Sequence, residues 1–374
     1  MSKDDLQRSI LEKLNKLIAS DKKLHNVHLL IHSEKLNLHW PMAVGETDGS
    51  AAHPRQPYHT ASVGKTFTAV LLAILVEKGL VKFDDPIVRY LPEDITKNLH
   101  NFKGKDYTND IQIHHLLSHT SGLPDFYEDK PKQGKRLLQE ILDNPSRSWT
   151  PQETIQWTKE HLTPRFQPGK LVHYTDTGYN LLGLIIENIT LKPYHEVLHE
   201  HLFNPLQMKH SYLSHYSQPA IKSEYPVANI YMDNLIIKVD DYQSFNSFYS
   251  GGQTVCTLED QLLFMKALVN HQIIQKETLD TMMQWNKMRI GMDYGYGLMR
   301  MRFIPFTQKY IGWGHLGASG TCMLYFPHSD LYVIGAFNQT AYQSKGMTFI
   351  FFNVVRKLVK YAEREGIPSG SNRN

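Results

Sequence analysis

The sequence predicts a mixed α and β (α+β) fold in which both ends of the chain build one sheet and the middle inserts helices. Two hairpin patterns and the stretch between them carry that prediction. Residues 27–31 and 36–40 alternate as strands around a polar turn at Ser33-Glu34-Lys35. Residues 321–326 and 331–337 do the same around Pro327-His328-Ser329-Asp330. The patterns between are mainly helical, so the strands fall at the two ends.

Taken in order, the chain opens with Leu6, Ile10, Leu14, Leu17 and Ile18, one apolar stripe on a helix. After the first hairpin, Phe67, Ala69, Val70, Leu71, Leu72, Ile74, Leu75 and Val76 make a helix apolar nearly all round. Such a helix must be buried, and Gly79 supplies its stop. The second hairpin leads into a long apolar helix, roughly 347–361, and then a Pro-Ser-Gly-Ser tail. The expected organisation is an α/β domain from 1–80 and 215–365, a mainly helical domain from 81–214 bordering a cleft, and a disordered tail at 366–374.

With 374 residues, 41% hydrophobic and 21% charged, the chain can bury a sizeable core. A net charge of +3 without a basic run gives little support to nucleic-acid binding, and none is expected. The two cysteines, Cys256 and Cys322, are too few for a disulfide scaffold and read as buried thiols. The first twenty residues are studded with charge and lack the apolar core of a signal peptide. No run reaches the ~20 apolar residues of a membrane span. The expectation is a cytoplasmic protein with no membrane span.

Ser62-Val63-Gly64-Lys65 has the form S-x-x-K at the start of the buried helix. A spacing of three puts both side chains on one helical face. A serine hydroxyl needs a base to take its proton, and a neutral lysine can do so. Helix N-terminal amides can donate to an oxyanion. One short segment could thus hold nucleophile, base and half an oxyanion hole. Alone the pattern is common, and a capping serine followed by a surface lysine fits it equally.

The surrounding segments are more specific. His59-Thr60-Ala61-Ser62-Val63-Gly64-Lys65-Thr66-Phe67-Thr68 resembles the nucleophile segment of class C β-lactamase-like proteins, as does its continuation through Asp84-Asp85-Pro86 and Tyr90-Leu91-Pro92. Ile113-His114-His115-Leu116-Leu117-Ser118-His119-Thr120-Ser121-Gly122-Leu123-Pro124 is similar to another signature of that group. Tyr174-Thr175-Asp176-Thr177-Gly178-Tyr179-Asn180 resembles its Tyr-x-Asn motif. Ser250-Gly251-Gly252 and Gly314-His315-Leu316-Gly317-Ala318-Ser319-Gly320 resemble later ones, the last standing where Lys-Thr-Gly or His-x-Gly is usual. The chain therefore resembles the serine β-lactamase, penicillin-binding-protein and family VIII esterase superfamily from about Tyr58 to Asn338, with the segments in order.

That resemblance implies the serine β-lactamase/DD-peptidase fold, an antiparallel sheet flanked by helices plus a helical insertion. It implies acyl-enzyme hydrolysis of an ester, peptide or β-lactam with no metal or cofactor. Ser62 is the implied nucleophile, and Lys65 and Tyr174 handle its proton, the latter as a tyrosinate if nearby cations favour it. The amides of Ser62 and Ala318 are the implied oxyanion donors. His315 to Gly317 would lie on an edge strand lining the cleft, with Gly317 admitting substrate close to the backbone.

Two departures from the pattern matter. Asp176 stands where β-lactamases usually have Asn, and a carboxylate only accepts hydrogen bonds. It could hold Lys65 or meet a substrate amine. His315 replaces the lysine that attracts the carboxylate of β-lactams and D-Ala-D-Ala peptides, and histidine is a weaker anchor near neutral pH. On that reading His315→Lys should improve reaction with carboxylated β-lactams. Both changes point to an esterase or D-peptide peptidase rather than an efficient β-lactamase. Trp313 is a candidate pocket wall or a core residue.

Other chemistry is open to test. His195-Glu196-Val197-Leu198-His199 matches H-E-x-x-H, the zinc helix of metallopeptidases. No third ligand is identifiable, and a chain with 20 histidines produces such pairings by chance. His115 and His119, also four apart, invite the same doubt. A non-catalytic penicillin-binding-like protein would need no nucleophile flanked by two proton carriers.

Overall fold

The computed structural model describes residues 2–366, so the tail expected to be disordered lies outside the described residues from 367 onward. Helix α1 (Lys3–Ser20) begins on a capping box in which Ser2 and Asp5 satisfy each other's backbone amides. Strands β1 (Asn26–Ser33), β2 (Leu38–Thr47) and β3 (Ser50–Ala51) follow, and then the buried helix α2 (Gly64–Glu77). Helix α3 (Asp176–Thr190) is capped by the Thr175 hydroxyl, and α4 (Leu258–Val269) by that of Thr257. The chain returns to the sheet through β4 (Asn286–Arg289), β5 (Met292–Tyr294), β6 (Met299–Arg302), β7 (Ile311–Leu316), β8 (Thr321–Phe326) and β9 (Leu331–Ala336). It closes on helix α5 (Tyr342–Phe349), a π turn (Ile350–Val355) and helix α6 (Arg356–Arg364).

Among the described residues these strands form one nine-stranded antiparallel sheet in the order β4-β5-β6-β7-β8-β9-β1-β2-β3. Its central register pairs Leu30 with Ile334 across β1 and β9, so the two chain ends meet in the middle of the sheet. Alternation along the strands splits their side chains between two cores. Leu30, Met323, Tyr332 and Ile334 join α2, α3 and α4 on one face. Val27, Leu29, Ile31, Leu324 and Val333 join α1, α5 and α6 on the other. A smaller core holds Phe126, Trp149, Trp157 and Phe245. No helix among the described residues is long and apolar enough to cross a membrane.

Two local expectations shift. β2 starts at Leu38 because Asn37 takes a left-handed turn conformation at φ 49°, and it continues through Pro41 to Thr47. There only the two-residue β3 flanks β2 on its outer side, so a missing amide hydrogen costs no ladder bond. The C-terminal helical run starts at Tyr342 rather than near 347, since Gly346 is not a breaker but a close contact. A Cβ there would lie 2.7 Å from the Phe337 ring. Cys256 and Cys322 are free and buried.

Candidate active site

Ser62 lies in a short 3-10 turn (Ala61–Val63) that runs into α2. Ala61 holds a left-handed φ of 49°, unusual for a residue with a Cβ, and the surroundings impose it. Thr60 donates its amide to Thr254 O at 2.9 Å, and the Thr321 hydroxyl donates to Thr60 O at 2.8 Å. Gly252 and Gly317 press the turn from two sides: a Cβ on either would come within 3.0 Å of Ala61. The Ser62 turn is therefore fixed by long-range contacts rather than by helix propensity.

Lys65 sits on the same face with no exposed surface. Its Nζ donates to Ser62 Oγ at 3.3 Å and to Gly251 O at 2.7 Å, and forms an ion pair with the Asp176 carboxylate. Three acceptors match the three donors of an ammonium. The Asp176 backbone amide is in turn fixed by Asp125 Oδ1 at 2.7 Å. Burial, then the Asp176 charge, push the Asp125 carboxyl well above the usual range.

Tyr174 precedes the cap of α3 and lines the same hollow as Ser62. Lys65 Nζ lies 5.0 Å from the centre of its ring. Burial first, then the Asp176 carboxylate, drive the phenol well above its ordinary value. Both act against the tyrosinate form that nearby cations would favour.

Ala318 follows β7 beside Ser62. Among the described residues, neither the Ser62 nor the Ala318 amide is used by a backbone acceptor. Gly317 donates to Thr321 O at 2.9 Å and has no room for a side chain: a Cβ would meet Thr321 Oγ1 at 2.0 Å.

His315 does not line the cleft. β7 is paired with β6 and β8, not an edge strand, although the β6 ladder ends at Gly314 and leaves residues 315–317 without a partner on that side. The His315 ring is fully buried, bonded through Nε2 to the Tyr294 hydroxyl at 2.8 Å and through Nδ1 to Leu316 O at 2.7 Å. A carbonyl can only accept, so Nδ1 carries the proton and Nε2 accepts from Tyr294. Burial, reinforced by the Lys65 charge, lowers its pKa to about 3. The expected substrate contact is replaced by an inward one, because strand alternation puts His315 on the face of Trp313, which α2 covers. Trp313 itself is core, packed 5.8 Å from the Tyr325 ring.

Two hollows flank Ser62. One is apolar, lined by Tyr127, Ile230, Met232, Ile237, Phe245 and Phe248. The other is mixed, with Asp125, Glu128, Asp176, Arg289 and Gln343 among methionines. None of the apolar wall was singled out in the sequence, because its segments come from separate loops and carry no shared pattern. Gly251 was visible only within its Ser-Gly-Gly segment, and Asp125 gave no signal.

The H-E-x-x-H pair is elsewhere. His195 lies on a short helix (Tyr194–Leu198) and His199 opens a π turn, its Nε2 3.1 Å from the Ser217 hydroxyl. Among the described residues, no group of three or more His, Cys, Asp or Glu could hold a metal ion. His115 and His119 are not on one helical face either, since their helix (Ile113–Leu117) ends before His119.

Known proteins resemble this chain in sequence and in fold. The chain is 26% identical to penicillin-binding protein 4* of Bacillus subtilis (strain 168) over 257 residues, 64% of this chain and 51% of that protein. It is 30% identical to protein flp of Staphylococcus aureus (strain MW2) over 162 residues, 43% of this chain and 28% of that one. The chain thus spans about half or less of those relatives. Among solved structures, a D-amino acid amidase from Ochrobactrum anthropi SV3 superposes with a TM-score of 0.78 at 24% identity, covering 96% of this chain and 99% of that one. A D-stereospecific amidohydrolase from Streptomyces sp. gives 0.75 at 22%, covering 92% and 98%. The family model described as Beta-lactamase matches residues 30–348, a span that takes in the Ser62 turn, the Tyr174 loop and the end of β7, and the chain accordingly belongs to the Beta-lactamase family and carries its serine-hydrolase fold.

Proposed function

We propose that this protein hydrolyses ester or amide bonds through an acyl-enzyme on Ser62. The observation that carries the reading is the Lys65 amine donating to the Ser62 hydroxyl, with Tyr174 lining the same hollow and two backbone amides beside it. In the first step Ser62 Oγ bonds to the substrate carbonyl carbon, and the Ser62 proton passes to the Lys65–Tyr174 pair. The Lys65–Asp176 contact gives the resting lysine proton a place to go, which frees the amine to accept. The Ser62 and Ala318 amides stabilise the oxyanion, each donor of this kind contributing ~100-fold or more. As the carbonyl re-forms, the bond to the alcohol or amine breaks and the leaving group takes the proton. Water then repeats the sequence on the acyl-enzyme and releases the acid.

Esters and amides without a carboxylate beside the scissile bond fit better than β-lactams. His315, neutral and buried, offers no cation to anchor one. The apolar hollow suits an aromatic or branched side chain on the acyl group. Amides of D-amino acids head the screen, since one solved neighbour is named a D-amino acid amidase and another a D-stereospecific amidohydrolase. The test is hydrolysis of a short p-nitrophenyl ester by wild type, Ser62→Ala, and wild type with a chelator. The reading expects activity lost in the variant, fold retained, and no chelator effect. A Ser62→Ala enzyme with wild-type turnover sinks it, and chelator loss would favour the His195-Glu196-His199 alternative.

A further inference from the structure

We infer that His119 is a positioning residue that holds Tyr174 against Ser62. The inference rests on the proposed role of Tyr174 in handling the Ser62 proton. His119 is fully buried and bends the chain through a left-handed φ of 59° just after the short helix that ends at Leu117. That bend lets it grip the Tyr174 segment from both ends. The His173 amide donates to His119 O at 2.9 Å, and the Thr175 amide donates to His119 Nδ1 at 3.2 Å. Between these two bonds the imidazole packs on the Tyr174 ring, centroid to centroid 4.2 Å, with Tyr294 4.4 Å away.

The chemistry of the ring argues for a role beyond filling space. Because Nδ1 accepts from an amide, the proton of the neutral ring must sit on Nε2. Among the described residues, that Nε2 is buried with no hydrogen-bond partner. A phenylalanine would fill the volume without burying an unpaired N–H, so the acceptor at Nδ1 is the feature that distinguishes histidine here. Tyr174 leads directly into the N-terminus of α3, and no regular element precedes it. The His119 contacts supply the fixity that a loop residue lacks.

Two amide variants separate acceptor from bulk. In His119→Asn the side-chain oxygen occupies the place of Nδ1, and Asn tolerates left-handed φ. In His119→Gln the oxygen reaches the place of Nε2 and misses the Thr175 amide. Steady-state kinetics on the p-nitrophenyl ester, with melting temperatures, are measured for both and for Tyr174→Phe. The expected result is kcat within about threefold of wild type for Asn and at least about tenfold lower for Gln, with KM unchanged in both. Equal kcat for Asn and Gln, or a failure of both to fold, overturns the clamp. Full activity in Tyr174→Phe refutes instead the role of Tyr174 on which the inference rests.

Discussion

Asp176→Leu is the perturbation whose cost the structure sets most directly. Lys65 has no exposed surface and Asp176 is 6% exposed, so the ion pair between them is cut off from water. Leucine keeps the approximate shape of the side chain and removes the charge. Lys65 Nζ is then left with Gly251 O and a long contact to Ser62 Oγ. Removing one partner of a buried pair costs ~3–5 kcal/mol, mostly for the stranded charge. Unfolding entropy near ~2.1 cal/mol/K per residue, applied to the whole chain, gives about 0.8 kcal/mol/K. The loss should therefore read as a fall of roughly 4–6 °C in melting temperature.

The double variant Lys65→Met with Asp176→Leu supplies the control. It removes both charges, and such replacements are often close to neutral. The four corners of the cycle, measured by scanning calorimetry at neutral pH, should show most of the single-variant loss recovered in the double. Asp176→Leu melting within about 1 °C of wild type refutes the buried-pair reasoning, as does a double variant that loses the sum of the singles.

Gly317→Ala should lower kcat/KM about 100-fold with the far-ultraviolet circular dichroism unchanged, because the new Cβ would lie 2.9 Å from both Thr60 O and Ala61 Cβ and displace the nucleophile turn. Wild-type kinetics in that variant would show the turn to be more compliant than its contacts imply. Stability should also fall in acid. Burial lowers the pKa of His28 and His59 to about 4 and of His315 to about 3, so the native state binds fewer protons than the unfolded chain below about pH 6.5. The stabilisation is fully present above that value and is lost as pH falls toward 4, with up to ~1.4 kcal/mol per pH unit from each histidine. Urea midpoints between pH 7 and pH 5 check this, and His28→Gln should flatten the slope by up to ~1.4 kcal/mol per pH unit. An unchanged slope counts against the His28 contribution.

What the sequence disclosed about the site was whatever is local. Ser62 and Lys65 are three residues apart on one helical face, so their contact is written in the spacing. The second hairpin was legible because alternation and turn residues coincide at Phe326 to Leu331. Long-range partners were not. Nothing in the spacing joins Lys65 to Gly251 O, or His315 to Tyr294, since sheet order and helix docking decide those contacts. His119 showed the same limit. Its place in the His-Thr-Ser-Gly segment was visible, but its left-handed backbone, and hence the direction of its ring, was set by contacts with the Tyr174 loop.

The two departures from the family pattern act together on charge. Aspartate in place of asparagine at 176 adds one negative charge, and a neutral histidine in place of lysine at 315 removes one positive charge. At these two positions the charge is thus two units more negative than in the usual β-lactamase arrangement. Where a lysine ammonium does sit about 4 Å from a substrate carboxylate, it contributes on the order of 4 kcal/mol at an effective dielectric near 20, or about a thousandfold in affinity. Restoring the lysine should not recover it. In His315→Lys the ammonium would replace a ring enclosed by Tyr294 and the Leu316 carbonyl, near the Lys65 cation and without a route to the cleft. The expected outcome is a lower melting temperature and no gain in acylation by a carboxylated β-lactam, the reverse of what the motif alone suggests. Acylation at least ten times faster than wild type would mean that position 315 reaches substrate after all, and would return the anion-binding role to this strand.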